Sequence, residues 1–325
     1  MDTRVAEAPP TTAHRRSAPS RQRGRRRIAQ RSRRIAVCGL LAPFAVTFVL
    51  SFLAPLGYAV YESFFKQKRS GLGLTPPTRA FAGFANYTQA LHDHDFTAGV
   101  WRVLLFGAVQ VPVMLGIALL LALVVDAKKD RLARWFRLAA FLPYAVPGVI
   151  GAIMWAFLYL KGSSPFVQAF STFGLDVDFL SRHLVLASIA NIVTWTWTGY
   201  NMIVIYSALQ AVPTELYQAA EVDGCGPWRI AWHIKIPLVA PALVLTGVFS
   251  IIGTVQLYNE PTVLRALTST INATYTPNMA VQNVAFTFNN YNLSAAMAVL
   301  LALGTFVLSF GFLHLTRRFT ERSAS

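Results

Sequence analysis

The side chains able to do chemistry in this 325-residue chain are mostly amides, hydroxyls and aromatics set inside apolar stretches. Asn191, Thr194, Trp195, Trp197, Thr198, Tyr200 and Asn201 fall within one stretch, Gln256, Tyr258, Asn259 and Glu260 close a second, and Asn289, Asn290, Tyr291 and Asn292 open a third. Aromatic faces beside amides and hydroxyls suit a sugar, whose ring has apolar C–H faces and a rim of hydroxyls. Asn191, Trp195, Trp197, Tyr200, Asn201, Gln256, Tyr258, Asn259, Asn290 and Tyr291 are therefore candidates for a solute path. The same residue types also serve structural ends, because Trp and Tyr gather at membrane interfaces and Asn bonds helix to helix. Covalent chemistry has no foothold: there is no H-E-x-x-H, no G-x-S-x-G and no Walker A loop, so no catalytic residue is assigned. His92-Asp93-His94-Asp95 has metal-capable atoms, but adjacent residues rarely converge on one ion without further ligands. It reads as the polar start of a helix, and no metal site is expected.

These residues must be positioned by membrane helices. With 54% hydrophobic residues, 13% charged residues and a mean hydropathy of +0.46, the chain is too apolar for a soluble domain of its size. Uncharged runs at 35–60, 103–125, 138–160, 184–206, 238–258 and 293–315 each approach the roughly 20 residues that a bilayer core requires. The expected fold is all-α, a polytopic bundle of six transmembrane helices occupying residues 35–318, with a disordered basic tail at 1–34 and a short tail at 319–325. Prolines 43, 55, 112, 143, 147 and 241 fall inside the runs and invite kinks. No run contains Asp, Glu, Lys or Arg. That argues against a proton relay or an ion-coupled carrier.

Of the 29 Lys and Arg residues, 21 fall on one side of the expected membrane and 7 on the other, with Arg102 at a span edge. The richer side holds both termini and the loops at 126–137 and 211–237, which the positive-inside bias places in the cytoplasm. Residues 1–34 read as a topology determinant resting on anionic lipid heads. Nucleic-acid binding is not expected, because no aromatic or motif context accompanies the arginines. A cleaved signal peptide is not expected either, since the following apolar run is too long and lacks a small-residue cleavage site. Cys38 and Cys225 predict no disulfide framework.

The loop between the fourth and fifth runs has its own signals. Pro213 and Thr214 start a helix, Glu215 sits in its first turn where the dipole favours an anion, and Gly224 is placed to end it in a left-handed turn. Pro227 starts a second short helix, and Pro237 is expected to stop it before the fifth span. Leu216, Ala219 and Ala220 share one side of the first helix, where small alanines let another surface approach. The bland alternative is an amphipathic linker lying on the membrane surface.

These residues carry a resemblance. Ala219-Ala220, Asp223-Gly224 and Ile234-Lys235-Ile236-Pro237 resemble the E-A-A, then G, then I-x-L-P loop of permease subunits of binding-protein-dependent ABC importers, and Phe84-Ala85-Asn86-Tyr87 resembles the G-x-x-N-Y segment of their carbohydrate branch, the maltose and glycerol-phosphate type. The resemblance implies an ATPase-coupling loop carried by Glu215, Gln218, Ala219, Ala220, Glu221, Asp223, Gly224, Ile234 and Pro237. It implies a second permease in a heterodimer, two cytoplasmic ATPase subunits, an extracytoplasmic solute-binding protein, and a place in a bacterial inner membrane. The chain itself then carries no cofactor, ATP and Mg being held by the ATPase. One position departs from the pattern: the family's leading Glu is Gln218, which keeps hydrogen bonding but loses its charge-assisted part. A self-contained channel or carrier, and a membrane scaffold without a solute, are the rival readings. Flux through the isolated chain distinguishes the first, and tolerance of apolar substitutions in the last three runs distinguishes the second.

Overall fold

The computed structural model describes residues 37–68, 78–128, 131–162, 164–174 and 176–322, with side chains described to Thr316. The basic tail read at 1–34 lies outside them. Two units are distinguished, Met1–Tyr58 and Ala59–Ser325. Helix α1, Val37–Ser63, begins in the first unit, contains a π-turn at Val49–Leu53, and buries none of its most apolar window. Phe44, Phe48 and Phe52 stack along it at centroid distances of 6.0 and 5.5 Å. A helix apolar on every side is stable where lipid or another chain replaces water.

In the second unit, strands β1 (Phe65–Lys68) and β2 (Thr78–Phe81) pair antiparallel with Phe65 opposite Phe81. Helix α2 (Ala85–His92) follows, then α3 (His94–Asp126). The α3 helix starts at His94, well before the apolar run at 103, because Asp93 caps it by accepting the Phe96 N–H at 2.9 Å. The His-Asp doublet thus serves this helix start. Arg102 is accommodated in α3 by donating to the Tyr275 carbonyl at 2.5 Å, with its guanidinium 4.3 Å over the Tyr275 ring. Burial pushes the Tyr275 phenol pKa up, and the Arg102 charge acts against that.

The run read as one continuous span at 138–160 is two helices, α4 (Arg131–Ala145) and α5 (Gly148–Tyr159), bent 95° apart. Pro147 is the cause. It lies at φ −52°, ψ 130° as the N-cap of α5 and disfavours helix in the residue before it. Helix α6 (Pro165–Thr172) leads to α7 (Val185–Gln210), whose 26 residues reach about 39 Å. Helix α7 packs against α3 and α4 and carries much of the core, with Ile189, Ile192, Met202, Ile205 and Leu209 at 0–1% exposure. Close approach to α4 requires Gly199: a Cβ there would lie 1.8 Å from the Ala140 carbonyl oxygen.

Helix α8 (Thr214–Val222) and α9 (Pro227–Ile230) form a hairpin. Pro237 does not stop the second arm as the sequence suggests. The chain passes from α9 through a π-turn (Ala231–Lys235) into α10 (Ile236–Val255), leaving Pro237 in the first turn of α10. The proline supplies no N–H to the continuing helix, and the π-turn just before it accommodates its ring. Helices α11 (Asn259–Leu264), α12 (Pro277–Gln282) and α13 (Tyr291–Arg322) complete the described chain.

Among the described residues, α1, α3, the run Pro227–Leu264 and Tyr291–Thr316 of α13 are long and apolar enough to cross a membrane, and the bent α4/α5 pair makes a fifth if counted as one span. Helix α7 is long enough, but Asn191, Tyr200, Asn201 and its threonines dilute its hydropathy. The helices also extend past the uncharged runs, so Glu62, Asp95, Arg102 and Glu260, which lie outside the bounds of those runs, fall inside the apolar helices.

Candidate functional site

The hairpin at 211–237 is built on a defined turn. Gly224 has φ +77°, its N–H donates to the Glu221 carbonyl at 3.0 Å, and the Cys225 N–H reaches the Ala220 carbonyl at 2.9 Å. That pair of bonds is a Schellman C-cap, which needs a left-handed residue at Gly224. Ala220 is buried at 8%, whereas Glu215, Gln218, Ala219, Glu221 and Asp223 are exposed on α8. Ile234 is half-buried and Pro237 exposed. Val222, Trp228 and Trp232 add an apolar rim that is 87, 77 and 61% exposed.

The hairpin's root holds residues that the sequence reading did not single out. Lys235 Nζ meets Asp126 Oδ2 at 2.5 Å, with side chains only 15% and 9% exposed. Gln210 Nε2 donates to the other oxygen, Oδ1, at 2.7 Å. Lys235 also stands 4.9 Å over the ring of Tyr217 on α8. One buried ion pair thus ties together the end of α3, the end of α7, the coupling-helix candidate α8 and the start of α10. Burial, and then the negative charge of Asp126, push the Tyr217 phenol pKa up, so the ring stays neutral beside the carboxylate. The signal available in sequence was Asp126 itself, the first carboxylate after the uncharged run 103–125. Nearby, the Arg137 guanidinium lies 4.6 Å over the Tyr206 ring and donates to its hydroxyl, joining α4 to α7.

A second locus lies between α3, α7 and α10. Trp197, Tyr200, Asn201, Gln256, Tyr258 and Asn259 line a cavity of about 290 Å³ together with Glu260. Tyr144 stacks on Tyr200 at 4.9 Å and meets Trp197 edge-on at 5.3 Å, fixing both rings. Asn201 is 2% exposed, and its Nδ2 has no hydrogen-bond partner among the described residues. The Tyr258 hydroxyl donates to the Gln282 side chain. Two other path candidates lie elsewhere: Asn191 Nδ2 donates to Tyr159 Oη at 2.9 Å beside a separate 330 Å³ cavity, and Trp195 packs edge-on against Trp155 at 5.9 Å. Asn290 and Tyr291 do not join either cavity. Asn290 Oδ1 accepts the Leu293 N–H at 3.2 Å, and Tyr291 packs against Phe286 at 6.3 Å.

Residues 114–321, which include this hairpin, fit the family "Binding-protein-dependent transport system inner membrane component". The chain belongs to this family. The permease is 31% identical over 237 residues to the lactose transport system permease protein LacF of Rhizobium radiobacter, covering 71% of this chain and 79% of that one. It is 29% identical over 283 residues to the sn-glycerol-3-phosphate transport system permease protein UgpA of Brucella abortus, covering 83% and 92%. Its fold is similar to a chain of a bacterial ABC transporter involved in import of the acidic polysaccharide alginate, with TM-score 0.76 and 18% identity over 90% of this chain and 99% of that one.

The permease also uses its Phe84-Ala85-Asn86-Tyr87 segment as an anchor. Asn86, 4% exposed, donates from Nδ2 to the carbonyls of Ser63 and Phe65, each at 2.7 Å, and Tyr87 Oη lies 2.6 Å from Ser63 Oγ. The neighbouring Glu62 pairs with Arg79 of β2 at 2.9 Å and accepts from Asn292 Nδ2 at 2.8 Å. Together these bonds hold the end of α1 to β1, β2 and the first turn of α13.

Proposed function

We propose that the permease is one transmembrane half of an ABC importer for a carbohydrate, paired with a second permease, fed by an extracytoplasmic solute-binding protein and driven by two ATPase subunits that hold ATP and Mg. Six crossings account for the helices: α1, α3, the bent α4/α5 pair, α7, the run through α10 and α13. Both termini and the hairpin then face the cytoplasm, in keeping with the distribution of Lys and Arg.

The observation that carries the reading is the hairpin with its root. Exposed Glu215, Gln218 and Ala219 and the rim of Val222, Trp228 and Trp232 offer a surface for the ATPase, with the uncharged Gln218 contributing a neutral hydrogen bond. The Asp126–Lys235 pair links that surface to three long helices. Closure of an ATPase dimer against α8 would be passed to the helices that wall the cavity, giving alternating access. The names of the similar permeases, for lactose and for sn-glycerol-3-phosphate, support a sugar or sugar derivative. So do the aromatic and amide side chains of the cavity, whose volume approaches the small end of ligand sites.

The test is uptake into proteoliposomes. The permease reconstituted with its companion permease, ATPase and binding protein should accumulate at least one member of a labelled mono- and oligosaccharide panel, only with ATP inside and binding protein outside. Nucleotide-independent flux through the isolated chain would overturn the reading.

A further inference from the structure

Glu260 is the only acidic or basic side chain lining the 290 Å³ cavity, and it takes part in no ion pair among the described residues. A carboxylate inside an apolar helical run is costly to keep, and where it lines a cavity it is a candidate for contact with what passes. Its place in the first turn of the six-residue α11 favours a negative charge there. Around it, Phe106, Val193 and Leu257 supply a low-dielectric wall that leaves the carboxylate's field poorly screened. Asn201, on the same lining, adds a buried amide donor without a hydrogen-bond partner among the described residues. Trp197 and Tyr200 add ring faces.

Family membership leaves the charge of the solute open, since similar permeases are named both for lactose and for sn-glycerol-3-phosphate. We infer that Glu260 is a specificity-determining residue that makes this cavity a site for uncharged, hydroxyl-rich solutes and excludes anionic ones. The inference rests on the carbohydrate reading above. A carboxylate accepts hydrogen bonds from sugar hydroxyls as an amide oxygen does, but it repels a phosphate, sulfonate or uronate brought into the same space. Selectivity built on such repulsion discriminates without tighter binding of the favoured solute.

The charge of the cavity can be measured without any sugar. Ser250, on the lining, is replaced by Cys in a background where Cys38 and Cys225 are Ser, and the complex with its companion permease is placed in nanodiscs. Modification rates are read with trimethylammonioethyl and with sulfonatoethyl methanethiosulfonate, which are thiol reagents of opposite charge. The cationic-to-anionic rate ratio should fall on the order of tenfold in the Glu260→Gln variant. Glu260→Asp, which keeps the charge, should retain most of the bias. An unchanged ratio in Glu260→Gln, or no reaction with either reagent, would overturn the inference. Failure of the carbohydrate reading appears separately in the uptake experiment, because the thiol rates involve no sugar. A merely structural role for Glu260 would alter the stability of the complex and leave the ratio where it was.

Discussion

The contact between Asp126 and Lys235 is the residue-level feature that fixes the root of the hairpin. The two side chains are 9% and 15% exposed and 2.5 Å apart, and Gln210 satisfies the second carboxylate oxygen. Removing water from two charges costs free energy that their attraction largely repays, so the pair contributes little net stability relative to an apolar match of similar size. Breaking it is different, because the remaining charge stays buried without a partner. Asp126→Ala should lower the stability of the detergent-solubilised permease by about 3–5 kcal/mol, read from thermal unfolding of the complex. Lys235→Met with Asp126→Leu should recover most of that stability while leaving ATP hydrolysis poorly coupled to uptake. Full coupling in the apolar pair would show that the ion pair only holds the hairpin and transmits nothing. Little of this was legible from sequence: Lys235 reads as one more cytoplasmic charge, and its partner lies 109 residues earlier.

Helices and turns were far more legible, and the differences have local causes. Pro213, Glu215 and Gly224 mark α8 by chemistry confined to a few residues, and the Schellman bonds follow from Gly224 adopting φ +77°. The break between α4 and α5 was missed because hydropathy runs unbroken through Pro143 and Pro147, and composition alone does not tell a kink from a 95° bend. The sequence points to a stop at Pro237, whereas the π-turn at Ala231–Lys235 just before it lets the helix run on from α9 into α10. Of the path candidates, those on adjacent turns of α7 and at the end of α10 share a cavity. Asn290 and Tyr291 were grouped with them on composition only, and they serve the start of α13. The left-handed turn gives a prediction at this scale. No atom lies within 4 Å of a Cβ at position 224, so substitution there tests backbone strain without steric clash. Gly224→Val should cost about 1–2 kcal/mol in the turn and reduce ATPase co-purification severalfold. Gly224→Asn, which tolerates the left-handed region, should retain most of it. Equal loss in both variants would point to a lost contact at Gly224 itself rather than to the shape of the turn.

For the molecule as a whole, apolar length and the asymmetry of its charge carry the argument. A soluble protein could not leave the apolar surface of α1 and of the second half of α13 exposed, and in a membrane the helices satisfy most of their own backbone groups. In the proposed six-crossing topology, α7 is the crossing that hydropathy alone does not register. Helix α7 buries residues along most of its length, and its Trp197, Tyr200 and Asn201 line the cavity, so it carries polar and aromatic groups that lower its hydropathy. In that proposed topology both ends of the chain lie on the same side, and the excess of Lys and Arg would place them in the cytoplasm. Single cysteines in a cysteine-free background decide the matter: Ser269→Cys, on the exposed connection after α11, should react with a membrane-impermeant maleimide in right-side-out vesicles, while Glu221→Cys on α8 should react only in inverted ones. The reverse pattern, Glu221→Cys reacting from outside and Ser269→Cys only from inside, would require five crossings, with α7 lying within one leaflet or outside the bilayer. The hairpin would then face away from the cytoplasm, and α8 could not receive motion from an ATPase.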